Sequence, residues 1–158
     1  MWRGFAIVPL SVESNKMNLT GSLCLAAELE NLAVIRDFVR ESARALGVDP
    51  AIISDVVLAT DEAATNVIVH GYQGRQGTIE IEVTREAMDL VVYVRDTAPP
   101  FDPTRASSPD LTRPLEERPP GGLGIYLIRQ YMDEIIHRIM PRGGNELILK
   151  KRIRNRKE

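Results

Sequence analysis

A single cysteine, Cys24, stands in 158 residues. No intramolecular disulfide can form, and a reducing cytoplasm fits the chain. Cys24 lies in an apolar stretch with no histidine cluster beside it, which reads as a packed thiol rather than a nucleophile. Histidine is nearly as scarce: His70 and His137 are the only two, and no Cys or His spacing suggests zinc. Long apolar runs are missing as well. The opening MWRGFAIVPLSVESNK is too short in its apolar part for a membrane span and has no small-residue cleavage site. The net charge is only −2, which gives no reason to expect nucleic acid as the main partner. The local exception is KKRIRNRK at 150–157, read as a solvated tail, with a phosphate or membrane contact as the alternative. No internal repeat is present.

What is there is the composition of an ordinary globular protein, 44% hydrophobic and 27% charged, at a length that buries one core. Residues 1–16 read as a loosely ordered extension, 17–153 as one domain, and 154–158 as the end of the basic tail. From Met17, MNLTGSLCL carries Leu19, Leu23 and Leu25 in partial alternation, a strand signal. ELENLAVIRDFVRESARALG then places Leu29, Leu32, Ile35, Phe38 and Val39 at three-and-four spacing, an amphipathic helix that Gly47 ends. Asp49 and Pro50 have the cap and first-turn roles of a second helix, which runs to about His70 and is closed by Gly71 as a cap. TIEIEVTR (78–85) and DLVVYVRD (89–96) read as two strands around a short turn. Residues 97–120 hold seven of the ten prolines, and a loop of that length inside a domain is usually functional or mobile. GLGIYLIRQYMDEI (122–135) reads as a helix with Ile125, Ile128, Met132 and Ile135 on one side. EIIHRIM and NELILKKRI form a closing hairpin around Gly143 and Gly144. The sum is an α+β fold, a largely antiparallel sheet with about three helices over one face.

Chemistry can reside in three places. On the second helix, Ile53, Val56, Val57, Thr60, Ala64 and Val67 share one side, and Asp55, Ala59, Glu62 and Asn66 form a stripe roughly opposite. Glu62 and Asn66 are four apart and can act on one ligand. A solvated face is the plain reading. Small neighbours and a mid-helix asparagine, a poor choice for an exposed face, count against it. Next, Asp96 ends a central strand ahead of two prolines, where its carboxylate can accept from an exocyclic amine or simply make an Asx turn. Finally, Gly121, Gly122 and Gly124 precede a helix, so exposed N–H groups and the helix dipole suit a phosphate. A flexible connector is the alternative. An oxygen-bearing pair that can hold Mg²⁺, a carboxylate for a base and a glycine-rich helix start are together the parts of an ATP site, with 97–120 long enough to act as a lid.

DEAATNVIVHGY, DTAPPFDP and GGLGIYLIRQYMDEI, in that order, resemble the N, G1 and G2 boxes of the GHKL ATPase superfamily, and within it the anti-sigma-factor serine kinase branch (RsbW-like). The resemblance runs from about Met17 to Arg152. It implies a Bergerat-type two-layer α/β sandwich with a mixed sheet, ATP and Mg²⁺ as ligands, and a serine or threonine of a STAS-type anti-anti-sigma protein as substrate. A sigma factor is the second implied partner, and a homodimer is implied because members often pair. By position, Asn66 matches the Mg²⁺ ligand, Glu62 the general base, Asp96 the acceptor for the adenine amino group, and Gly121, Gly122 and Gly124 the lining of the triphosphate. Ala98 stands where the G1 box has glycine, so its methyl is expected to weaken nucleotide binding and Ala98→Gly to tighten it. The competing classes are a non-catalytic regulatory binding module and the detached ATP domain of a histidine kinase.

Overall fold

The computed structural model describes residues 21–105, 110–117 and 123–153. The extension at 1–16, the tail at 154–158 and parts of the proline-rich loop lie outside these residues. Strand β1 (Gly21–Ala26) leads into helix α1 (Leu32–Ala45), whose chain reversal uses Gly47 at φ 76°. Helix α2 (Pro50–Asn66) opens on Asp49, whose carboxylate accepts from the Ala51 N–H at 3.1 Å, with Pro50 in the first turn. Strands β2 (Thr78–Glu86) and β3 (Asp89–Asp96) form a hairpin, α3 spans Leu123–Tyr131, and β4 (Glu134–Ile139) and β5 (Asn145–Arg152) form a second hairpin.

The sheet order is β1-β2-β3-β5-β4, and all four pairings are antiparallel. The sheet is therefore not mixed, as the resemblance had implied. Strands β3 and β4 do run in the same direction, but β5 lies between them and is antiparallel to both. Alternation puts Leu23, Ile81, Val83, Leu90, Val92 and Leu149 on the helix-covered face, where they share one core with Ile35, Val39, Val56 and Ile128. On the opposite face Arg95 donates to Glu80, Glu82 and Glu146, each at 2.7 Å, and lies 4.8 Å over the Tyr93 ring. No helix among the described residues is long and apolar enough to cross a membrane.

Two elements depart from expectation. Helix α2 packs against both α1 and α3 as well as the sheet, so Ala59 is fully buried in the core rather than part of a polar stripe. Helix α3 ends at Tyr131, four residues before Ile135, where the apolar spacing had placed its end. Lys151 Nζ donates to the Tyr131 carbonyl at 2.6 Å, and the Asp133 N–H donates to the Lys150 carbonyl at 2.9 Å. The sheet captures the chain there, and Ile135 pairs with Leu149. Ile135 packs against the core from β4, and its helical spacing from Ile128 and Met132 concealed the boundary.

Candidate active site

Glu62 and Asn66 occupy the last turns of α2, one helical turn apart, and both are partly exposed. Beyond Asn66 the chain does not continue as an α-helix. Residues Val67–Gly71 form a π-helical turn, closed by the Tyr72 N–H donating to the Val67 carbonyl at 2.9 Å. Such turns are rare and recur at functional sites. Asp61, the other half of the acidic pair, faces α1 and accepts from Arg36 at 2.8 Å. Its role is structural. Burial and then the Asp61 charge push the Glu62 carboxyl above its ordinary value.

The first turn of α3 lies directly over this pair. A Cβ on Gly124 would come 3.1 Å from Glu62 Oε2 and 3.3 Å from Asn66 Oδ1. Glycine is therefore the residue that lets the helix start approach both polar groups. Gly121 and Gly122 lie outside the described residues.

Asp96, at the end of β3, is buried. Its Oδ1 accepts from the Ala98 N–H and from Asn145 Nδ2, both at 2.9 Å. Burial raises its carboxyl, and these hydrogen bonds together with His137 partly offset the rise. Asp96 and Asn66 line one small cavity of about 20 Å³, with Gly71, Phe101, Pro103 and His137 around it. That volume is roughly one water's worth. Gly144 at φ 90° packs so closely on the Asp96 carbonyl that a Cβ would sit 2.1 Å from it. Tyr72 fastens the end of the π turn to the exit of β3: its hydroxyl accepts from the Thr97 N–H at 2.9 Å and donates to the Thr78 carbonyl.

One sequence expectation needs correction at this end of the fold. Gly71 is not a left-handed helix cap, because its φ is not among the positive glycine values. A Cβ there would meet the Ala98 methyl at 3.4 Å, an ordinary van der Waals contact. Ala98 keeps a backbone conformation that any residue adopts: among the described residues, the non-glycine positions with positive φ are Gln73 and Ala87. Its methyl is buried. Sequence reasoning missed Tyr72, Gly144 and above all Asn145 and His137. Asn145 reads as the first residue of a closing strand, and no spacing in the sequence links it to His137 or Asp96. Among the described residues no cluster of three or more His, Cys, Asp or Glu could hold a metal ion. One Mg²⁺ needs only one or two protein oxygens beside phosphate.

A model of the histidine kinase-like ATPase domain matches residues 25–151. The anti-sigma F factor of Clostridium acetobutylicum is 32% identical over 147 residues, covering 87% of this chain and 94% of that protein. The serine-protein kinase RsbW of Bacillus cereus is 32% identical over 133 residues, 82% of each chain. The crystal structure of the RsbU and RsbW domains of a Mycobacterium tuberculosis protein superposes with a TM-score of 0.55 at 20% identity, over 84% of this chain and 32% of that one, a likeness of fold. With a match across most of its length and the three motif segments gathered at one end of the sheet, the chain belongs to the histidine kinase-like ATPase domain family.

Proposed function

We propose that this chain is an ATP-dependent serine/threonine protein kinase and anti-sigma factor of a partner-switching pathway. Its substrate is a STAS-type anti-anti-sigma protein, and its second partner is a cytoplasmic sigma factor. The observation that carries this reading is the approach of Gly124 to both Glu62 and Asn66, which joins a candidate base and a metal-ligand oxygen to a glycine-bearing helix start. The 32% identity to proteins named anti-sigma F factor and serine-protein kinase RsbW supports the same reading.

The residues fit the group they would hold. Asn66 Oδ1 offers the hard oxygen that Mg²⁺ prefers, and the backbone around Gly124 approaches without a side chain in the way. Asp96 is the acceptor for the adenine amino group. Its Oδ1 already takes two donors, so the amino group is left to Oδ2. Phe101 and Pro103 line the small cavity between Asp96 and Asn66, and at about 20 Å³ that cavity must widen before a base can enter. Bound Mg²⁺ and the N–H groups of the helix start supply the counter-charge for the phosphoryl group in transfer. The serine oxygen of the substrate bonds the γ-phosphorus, the bond from that phosphorus to ADP breaks, and Glu62 accepts the hydroxyl proton.

Calorimetry with ATP tests the nucleotide site. Gly124→Ala is expected to weaken ATP binding tenfold or more while the fold persists, and Asn66→Ala to abolish the gain in affinity on adding Mg²⁺. If both variants bind like the parent, this is not the site.

A further inference from the structure

Asn145 opens β5 directly opposite Asp96, and it is buried. Its side chain has more to hold than a turn asparagine usually does. Nδ2 donates to Asp96 Oδ1 at 2.9 Å and to the Pro99 carbonyl at 3.1 Å, with the Ala98 carbonyl at 3.4 Å. Oδ1 accepts from the Phe101 N–H at 2.9 Å, and His137 Nε2 lies 3.0 Å from the same oxygen. The other ring nitrogen of His137, Nδ1, is 3.7 Å from Asp102 Oδ1.

This geometry fixes the amide. The Pro99 carbonyl only accepts, so it needs the NH₂ side, and the Phe101 N–H only donates, so it needs the oxygen. His137 must then carry its hydrogen on Nε2 and donate to Asn145 Oδ1. A directed chain results, from His137 through Asn145 to Asp96 Oδ1. A branch of it ties the root of the proline-rich loop, residues 98–101, to the start of β5.

We infer that Asn145, oriented by His137, is a positioning residue for recognition of the base. It occupies Asp96 Oδ1 and keeps the carboxylate from rotating, so that Oδ2 faces a ligand amino group. It also ties the loop root to the start of β5 through the Phe101 N–H and the Pro99 carbonyl. This assignment rests on the ATP reading for its ligand, whereas the clamp itself stands on the hydrogen bonds alone. Asn145 and His137 are not catalytic residues.

The test uses the full chain and two readouts. One is amide hydrogen exchange at Ala98 and Phe101 without nucleotide. The other is calorimetric affinity for ATP and for inosine triphosphate, in which a ring carbonyl replaces the amino group. In Asn145→Ala the Phe101 amide is expected to exchange at least tenfold faster. ATP affinity should fall about tenfold while inosine triphosphate affinity stays within about twofold, which erases the preference between them. His137→Ala should lose part of that preference, and His137→Gln should restore it, because the glutamine amide can still donate to Asn145 Oδ1. Should Asn145→Ala fail to fold, Asn145→Val takes its place. Equal loss of both nucleotides, or no rescue by His137→Gln, overturns the positioning role. A parent chain that binds neither nucleotide refutes the ATP reading, and unchanged Phe101 exchange in Asn145→Ala then overturns the clamp on its own.

Discussion

Glu62 carries the account at the scale of a residue. Burial and the neighbouring Asp61 raise its carboxyl above the ordinary 4.5, which shifts a glutamate toward the operating pH of a base. If Glu62 is the base proposed above, it must be deprotonated, so phosphoryl transfer is expected to fall as the pH drops through that raised value. The linkage has the opposite sense for stability. A carboxyl whose folded pKa is raised stabilises the fold at low pH, and that contribution is lost as pH rises through the folded value. Glu62→Gln, a neutral mimic, should therefore melt higher than the parent at neutral pH and equally near pH 4. A lower melting temperature at pH 7 would mean that the charge is better accommodated than its burial suggests. At this scale the sequence was informative where side chains meet along one helix: the four-residue spacing of Glu62 and Asn66 already paired them. It was silent about Asn145, whose partners at Phe101 and Asp96 lie 44 and 49 residues away. It was silent as well about the backbone at Ala98, which keeps an ordinary φ.

Among elements, the junction of α2 and β3 sets the site. The π turn ends on Tyr72, whose hydroxyl joins Thr78 at the start of β2 to Thr97 just after Asp96. Gly77 makes room for that ring, since a Cβ would lie 2.1 Å from it. Tyr72→Phe removes the partner of the Thr97 N–H and should cost about 1–3 kcal/mol, read as a shift of the denaturant midpoint. A loss under a few tenths of a kcal/mol would show that Thr97 finds another acceptor. The limits of periodicity appear at the same junction. Alternation located β2, and a run apolar on both faces located β3, each to within a residue. A π turn keeps nearly the same apolar spacing as the helix before it, so VIVHG could not be told from another α-helical turn. The end of α3 was hidden for a related reason, because the lysine that satisfies its last carbonyl belongs to β5.

For the whole molecule, two hairpins and three helices were legible as an α+β fold, but the insertion of β5 between β3 and β4 was not. That insertion is what brings Asn145 beside Asp96 and so completes the end of the sheet where Asp96, Asn66 and the start of α3 converge. The most direct measurement is transfer of label from γ-labelled ATP, with Mg²⁺, to a STAS-type anti-anti-sigma protein from the same organism, run in parallel on the parent and on Glu62→Gln. A proton-transfer role predicts labelled serine or threonine with the parent and a loss of about 10²- to 10⁴-fold with Glu62→Gln, while ATP affinity is retained. A stable complex with the partner that transfers no label, or a Glu62→Gln rate equal to that of the parent, would contradict the kinase assignment.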